Sequence, residues 1–169
     1  MPTPELSLVF PVFDEEENVE PLLDAAVALG RRLRHRFEII VVDDGSRDES
    51  AARIAGAAAR HPEIVSVSHA ANRGYGAALR SGLRAARGDL VFFSDADLQF
   101  DLDELSDLLA HTESFDIVAG VRTPRRDALG RRVLARGWGV LVGVLFDLSL
   151  RDIDCAFKVF RREVLDAIP

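Results

Sequence analysis

Residues 90–99 read Leu-Val-Phe-Phe-Ser-Asp-Ala-Asp-Leu-Gln, an apolar run that ends in two carboxylates one residue apart. The run predicts a buried strand. Because side chains two residues apart in an extended chain point to the same side, Asp95 and Asp97 can aim at one point just past the strand's end. Two hard oxygen ligands at one point suit Mg²⁺ or Mn²⁺, and such a cation usually holds a substrate phosphate. An Asp-x-Asp pair alone is more often a solvated turn, so its meaning depends on the rest of the chain.

Strand-like and helix-like segments alternate on both sides of this stretch. Apolar runs predict strands at residues 6–12, 37–43, 64–68, 89–94, 116–119 and 153–160. Apolar residues at helical spacing predict helices at 17–34, 48–60, 75–86, 101–109, 131–148 and from 162 onward. Strands separated by helices imply βαβ units, so we predict an α/β fold, a mainly parallel sheet with helices on both faces.

Three acidic or hydroxylic residues stand where capping residues of these helices would be. Asp14 with Glu17, Ser46 with Glu49, and Asp101 with Glu104 have the three-residue spacing of a capping box. We therefore expect each pair to begin a helix.

Composition limits the class of protein. A chain of 169 residues suits one domain, and its net charge of −7 argues against a general nucleic-acid binder. The single cysteine, Cys155, excludes an internal disulfide. The first residues lack a basic, apolar leader, and the longest apolar stretch, 138–150, is interrupted by Asp147 and short for a membrane span. We expect a protein kept in the reducing cytoplasm.

The polar segments that follow the strands are the candidate site, because parallel sheets bind ligands beyond the carboxyl ends of their strands. Residues 11–15, 43–46, 95–99 and 121–122 gather along that edge. The Gly-rich turn at 72–78 either only shapes the entry to a helix or also binds a diphosphate at the helix start. We expect the four histidines to lie away from the strand ends, so that no histidine acts as a base there: His35, His61, His69 and His111.

Four motifs occur in an order that resembles a known family. They are residues 10–15 (Phe-Pro-Val-Phe-Asp-Glu), 42–46 (Val-Asp-Asp-Gly-Ser), 95–99 (Asp-Ala-Asp-Leu-Gln) and 152–158 (Asp-Ile-Asp-Cys-Ala-Phe-Lys). The chain resembles a family 2 glycosyltransferase with the Rossmann-like GT-A nucleotide-sugar fold. Within that family it is most similar to polyprenol-phosphate sugar synthases of the dolichol-phosphate mannose synthase type. The resemblance spans about residues 6–165 and implies one catalytic domain over 1–169, lacking the C-terminal portion with which the family's chains usually continue.

The resemblance also implies roles for individual residues. Pro11, Phe13 and Glu15 would line the pocket for the nucleotide base. Val42 and Asp44 would contact the base and ribose. Asp95 and Asp97, with the backbone at Ala96, would bind the metal and the nucleotide diphosphate, and Gln99 would complete the metal's protein ligands. Arg122 would face a phosphate, and Asp152 and Lys158 match acidic and basic positions near the acceptor. The family often has Tyr at the position of Phe13, and Phe keeps the stacking surface without the hydroxyl.

The implied function is transfer of a sugar from a GDP- or UDP-sugar to a polyprenyl phosphate, with Mg²⁺ or Mn²⁺ and inversion at the anomeric carbon. Two alternatives stay open: transfer to a glycan or glycolipid hydroxyl, and a nucleotide-sugar-binding module without turnover. A nucleotidyltransferase is disfavoured, because residues 14–17 are acidic where such enzymes carry a basic Gly-rich loop. The arginines before the apolar run at 138–150 belong either to a buried helix or to one at the inner face of the membrane, where a lipid-linked acceptor would be met.

Overall fold

The computed structural model of the chain describes residues 3–121, 152 and 155–167. Within these residues, six strands form one sheet: β1 Leu6–Val12, β2 Phe37–Asp43, β3 Ile64–Ser68, β4 Leu90–Ser94, β5 Ile117–Ala119 and β6 Phe157–Arg161. The described ranges also contain five helices: α1 Val19–Leu33, α2 Ser50–Arg60, α3 Tyr75–Ala85, α4 Leu105–Leu109 and α5 Arg162–Asp166. A 3₁₀ turn, Leu102–Glu104, precedes α4. The helix predicted at 131–148 lies outside the described residues.

The strand order is β3-β2-β1-β4-β6-β5, and it confirms the predicted α/β fold with a mainly parallel sheet. β1 pairs in parallel with β2 and β4, and β2 pairs in parallel with β3. β6 runs antiparallel to both β4 and β5, a direction that the strand pattern does not predict. Because the chain moves outward from β1 in both directions, the crevice beyond the ends of β1 and β4 is the switch point at which such sheets bind ligands.

Apolar side chains cover both faces of the sheet. On one face Phe10, Phe92 and Phe157 are almost completely buried and meet edge to face, with ring centroids 6.3 Å (Phe10–Phe92) and 4.7 Å (Phe92–Phe157) apart. On the other face α3 packs so closely that a Cβ at Gly82 would lie 2.4 Å from Val9 Cγ1. This close approach of α3 places its first residue, Tyr75, at the carboxyl ends of the strands, where the polar loops gather. No helix in the described ranges is long and apolar enough to cross a membrane.

At the amino ends of β1 and β2, a buried carboxylate connects several segments of the chain. Glu38 accepts hydrogen bonds from the Ser7 hydroxyl at 2.7 Å, the Arg87 amide at 2.7 Å and the Arg87 guanidinium at 2.6 and 3.0 Å. Gly88 N donates to Ser7 Oγ at 2.8 Å. These bonds join the amino ends of β1 and β2 to the turn between α3 and β4.

Two of the three expected helix caps are wrong. α1 begins after Asn18 and α2 after Glu49, and neither residue caps its helix through its side chain. Asp14 and Ser46 instead bond to each other's loops, as described below. The third expectation is confirmed in part, because Asp101 accepts a hydrogen bond from the Asp103 amide at 2.9 Å and so begins the 3₁₀ turn.

Candidate active site

An open cleft of about 420 Å³ lies beyond the carboxyl ends of β1 and β4. From β1 and the loop after it come Pro11, Phe13 and Glu15, and from the segment after β4 come Asp95, Ala96 and Asp97. Tyr75 at the start of α3 and Ala156 just before β6 complete the lining. The structure thus brings together six of the residues that the resemblance assigns to nucleotide binding, although the group 11–15 and the group 95–97 lie at least 80 positions apart in the chain.

The loop after β1 is braced against the loop after β2. Asp14 N donates to Ser46 Oγ at 3.0 Å, and Arg47 N donates to Asp14 Oδ1 at 2.7 Å. Asp14 has a φ of 54°, a left-handed conformation that these two bonds help to hold. Glu15 N and Glu16 N donate to the side chains of the second loop, to Ser50 Oγ at 2.9 Å and Asp48 Oδ2 at 2.9 Å. Phe13 lies within this braced loop, lines the cleft and is 37% exposed.

The acidic pair after β4 is held from two sides. Asp95 and Asp97 are half-buried, with fully buried Ala96 between them. Tyr75 lines the cleft together with Asp95, and burial together with the charges of Asp95 and Asp97 raises the pKa of Tyr75 well above its usual range. Asp97 Oδ1 accepts a hydrogen bond from Gln99 N at 3.1 Å, across a turn in which Leu98 has a φ of 57°.

The chemistry of this donor set fits a hard divalent cation with few protein ligands. Over the described part of the chain, no three His, Cys, Asp or Glu side chains converge as a metal site. Two carboxylates on one cleft wall are the set that Mg²⁺ or Mn²⁺ accepts when water and substrate phosphate fill its other positions. The Gln99 side chain is exposed and outside the cleft lining, so its role as a metal ligand stays a prediction.

Asp44 and Val42, both predicted to contact the nucleotide, lie behind the cleft. The Asp44 carboxylate accepts hydrogen bonds from Arg73 N at 3.0 Å and Gly74 N at 2.8 Å, and its Oδ1 lies 2.6 Å from His69 Nδ1. Burial alone would raise the pKa of Asp44, but these hydrogen bonds outweigh it and hold the pKa below its ordinary value. The Val42 side chain is fully buried between the sheet and α3. The structure brings neither residue into the cleft lining.

The expectation that all four histidines lie away from the strand ends is wrong for His69. It follows β3 directly, and its side chain is only 6% exposed. Its ring lies between Asp44 and Ser81, with Nε2 2.9 Å from Ser81 Oγ. Hydrophobic periodicity carries no signal for such a residue, because its partners come from β2 and α3.

The residues predicted near the acceptor are described only in part. Lys158 lies in β6 opposite Phe93, with Nζ bonded to the carbonyl oxygen of Cys155 and 5.5 Å from the centre of the Phe93 ring. Asp152 is half-buried, and neither residue lines the cleft. Arg122 and the arginines up to residue 136 lie outside the described residues. Tyr75, which sequence reasoning did not assign to the site, is the lining residue that the Gly-rich turn delivers.

Comparisons with known proteins agree with this geometry. The model of the family described as Glycosyl transferase family 2 matches residues 7–168. An undecaprenyl-phosphate 4-deoxy-4-formamido-L-arabinose transferase from Pseudomonas fluorescens is 39% identical over 166 residues, covering 96% of this chain and 49% of that protein. The protein of the same name from Yersinia pestis is 34% identical over 170 residues, covering 99% of this chain and 52% of its own length. The chain spans about half the length of the curated relatives it matches.

Solved structures share the fold. The mannosyltransferase PcManGT from Pyrobaculum calidifontis, in complex with GDP-Man and Mn²⁺, is 25% identical with a TM-score of 0.70, over 97% of this chain and 46% of that one. Glucosyl-3-phosphoglycerate synthase from Mycobacterium tuberculosis, in complex with UDP, is 23% identical with a TM-score of 0.74, over 98% of this chain and 60% of that one. At that identity the second likeness shows the fold alone.

Proposed function

This chain belongs to glycosyltransferase family 2, and we propose that it transfers a sugar from a nucleotide diphosphate sugar to a polyprenyl phosphate, as one catalytic domain over residues 1–169. The observation that carries the proposal is the cleft that Phe13 and the acidic pair Asp95 and Asp97 line together. The names of the curated relatives support undecaprenyl phosphate as the kind of acceptor. The GDP-Man and Mn²⁺ of the mannosyltransferase support a nucleotide sugar and a cation as the ligands of the same cleft.

The two groups of residues that line the cleft bind different parts of the nucleotide sugar. The partly exposed aromatic ring of Phe13 is the surface on which a nucleobase stacks, and Pro11 extends the apolar surface beside it. Glu15, on the same wall, offers carboxylate oxygens to ribose hydroxyls. The diphosphate then lies toward Asp95 and Asp97. GDP and UDP both fit this description, and the base is left to experiment.

A divalent cation bound by Asp95 and Asp97 would supply positive charge to the leaving nucleoside diphosphate. The chain's own part is to hold the acidic pair in place, with Tyr75 packed beside Asp95 and the backbone N–H of Gln99 donating a hydrogen bond to Asp97. Held carboxylates need little reorganisation when negative charge develops on the diphosphate. Arg122, by resemblance, would add a cationic group on the phosphates.

An acceptor phosphate does not need a strong general base to become a nucleophile. The second ionisation of a phosphate monoester lies near pKa ~6, so the acceptor is largely dianionic at neutral pH. The cleft lining, as far as the structure describes it, contains no histidine. A phosphate nucleophile needs no general base, whereas a sugar hydroxyl requires one. Attack opposite the leaving group at an oxocarbenium-like centre inverts the anomeric carbon.

Nucleotide binding by the purified chain tests the proposal. Calorimetry with GDP and with UDP, each with and without Mn²⁺, is expected to show one preferred base and tighter binding with the cation. Asp97→Asn keeps the side chain's size but removes a charged ligand, and we expect it to lose at least about tenfold in Mn²⁺-dependent affinity, which corresponds to about 1.4 kcal/mol. Asp107→Asn, on the exposed side of α4, is the matched control.

Two outcomes contradict the proposal. Failure of the folded chain to bind either nucleotide argues against a donor site in this cleft, and an unchanged Mn²⁺ dependence in Asp97→Asn argues against the acidic pair as cation ligands. A second assay measures sugar transfer to added polyprenyl phosphate. Nucleotide binding without turnover in that assay supports the binding module instead of the enzyme.

A further inference from the structure

Behind the cleft wall, Asp44, His69 and Ser81 form a hydrogen-bonded chain that the proposed chemistry does not use. The side chains of Asp44 and His69 are 3% and 6% exposed, and their nearest atoms are 2.6 Å apart. Because an ionised carboxylate only accepts hydrogen bonds, the proton between them lies on His69 Nδ1. The other ring nitrogen lies 2.9 Å from Ser81 Oγ on α3.

The same carboxylate anchors the loop that enters α3. Asp44 Oδ1 accepts from Arg73 N, and Oδ2 accepts from Gly74 N, so each oxygen holds one of two consecutive amides. Gly74 has a φ of 88°, a conformation that residues with a side chain rarely adopt. The next residue is Tyr75, the first of α3 and part of the cleft lining.

The loop after β2 also lies directly against this segment. A Cβ on Gly45 would come within 2.5 Å of the Ala71 carbonyl carbon, so the backbones of the two loops touch. His69 therefore stands at a junction of three elements. It contacts β2 through Asp44, it follows β3 along the chain, and it contacts α3 through Ser81.

We propose that His69 is a positioning residue: by holding Asp44 it fixes the Arg73–Gly74 backbone and thereby sets Tyr75 in place beside Asp95 in the cleft. The Ser81 contact ties the ring to the middle of α3, so the start and the middle of this helix are both held by one imidazole. The purpose of this positioning rests on the proposed function, since Asp95 is a proposed cation ligand. The positioning itself does not rest on it.

The chain offers a direct readout, because Tyr75 is its only tyrosine. Ring-labelled tyrosine then gives a single NMR signal that reports on the contact with Asp95 and needs no ligand. Three variants are compared by this signal and by the affinity for the preferred nucleoside diphosphate with Mn²⁺. His69→Leu removes both ring contacts, and His69→Asn keeps a donor close to the position of Nδ1. His111→Leu, in the exposed turn after α4, is the control.

For folded His69→Leu we expect a shifted or broadened Tyr75 signal and a loss of about 10- to 100-fold in Mn²⁺-dependent nucleotide affinity, the usual effect of removing a residue that orients a metal ligand. His69→Asn is expected to retain the wild-type signal and most of the affinity, and the control to change neither. An unchanged Tyr75 signal in folded His69→Leu overturns the inference. So does an Asn variant as impaired as the Leu variant, because loss of packing would then explain both.

If His69→Leu fails to fold, Ser81→Ala decides, since it removes only the contact to Nε2. A shifted or broadened Tyr75 signal in folded Ser81→Ala supports the inference, and a signal identical to that of the wild type overturns it. If the wild-type chain binds neither GDP nor UDP, the proposed function fails. The Tyr75 signal still tests the positioning role by itself.

Discussion

Replacing Asp44 with Asn tests how much the buried carboxylate contributes to the folded state. Asp44 accepts three hydrogen bonds, from His69 Nδ1, Arg73 N and Gly74 N, at 2.6, 3.0 and 2.8 Å. Asn has the same shape but one acceptor oxygen and an NH₂ group. With its oxygen in the place of Oδ1, the NH₂ faces the Gly74 amide, and a donor is left facing a donor.

The cost follows from the strengths of these bonds. Hydrogen bonds to charged groups contribute about 1.5–3 kcal/mol and neutral ones about 0.5–1.5, so each of the two surviving bonds loses about 1 kcal/mol. The third bond, from Gly74 N, is lost. This loss costs only roughly 1–2 kcal/mol, because Gly74 N keeps a second hydrogen-bond acceptor in Asn72 Oδ1 at 3.1 Å. Removing a buried charge offsets part of this loss. We expect a net decrease of about 1–3 kcal/mol in the free energy of unfolding, out of the about 5–15 kcal/mol typical of a domain.

The pH dependence gives the sharper test. The pKa of Asp44 is lower in the folded protein than its ordinary value of 3.8. Its ionised form therefore adds stability that is fully present above pH ~4 and is lost as the pH falls through the folded pKa. The difference between wild type and Asp44→Asn should be constant near neutrality and shrink in acid, where the protonated Asp resembles Asn.

Urea unfolding followed by circular dichroism, at neutral pH and at several acidic values, measures this difference. Asp107→Asn, exposed on α4, serves as the control for the loss of one negative charge. An Asp44→Asn variant within about 0.5 kcal/mol of wild type at neutral pH, the scatter expected of a surface substitution, would refute the role given to the carboxylate. A difference that persists undiminished in acid would refute the role given to its charge.

Two further substitutions test the cleft and the opposite end of the strands separately. Phe13→Ala is expected to weaken nucleoside diphosphate binding by about 1–3 kcal/mol, the contribution of one aromatic stacking contact, while the gain on adding Mn²⁺ stays as in wild type. Calorimetry with and without the cation checks this, and a reduced Mn²⁺ gain would contradict it. Glu38→Gln weakens the bonds from Ser7 and Arg87 at the far edge of the sheet, and we expect a loss of about 1–3 kcal/mol in unfolding free energy with unchanged nucleotide affinity. The Arg87 side chain is 62% exposed, so its ion pair with Glu38 contributes little of this loss in unfolding free energy. An altered nucleotide affinity in Glu38→Gln would contradict the prediction, because it would show that the amino ends of the strands are coupled to the cleft.

The strands are the part of the fold that local pattern predicts best. β1, β2 and β3 begin and end at the predicted residues. For β1 and β2 the reason is that a run of apolar β-formers covered on both faces differs from its polar flanks at both ends. The position of the acidic pair follows from the same reasoning, since Asp95 comes directly after β4. Helix beginnings are predicted less well. Asp14 and Ser46 have capping-box spacing, but each finds a better partner in the other's loop, 32 positions away.

Local sequence pattern predicts the alternation of strands and helices, the polar residues that follow the strands, and the family whose motifs stand there. These properties depend on residues within a few positions of one another, where period and spacing carry the information. Local pattern does not predict the direction of β6, the burial of Asp44 against His69, or the position of Tyr75 beside Asp95. Each of these depends on contacts between segments that are distant in the chain, and their geometry exists only once the sheet and α3 have packed together.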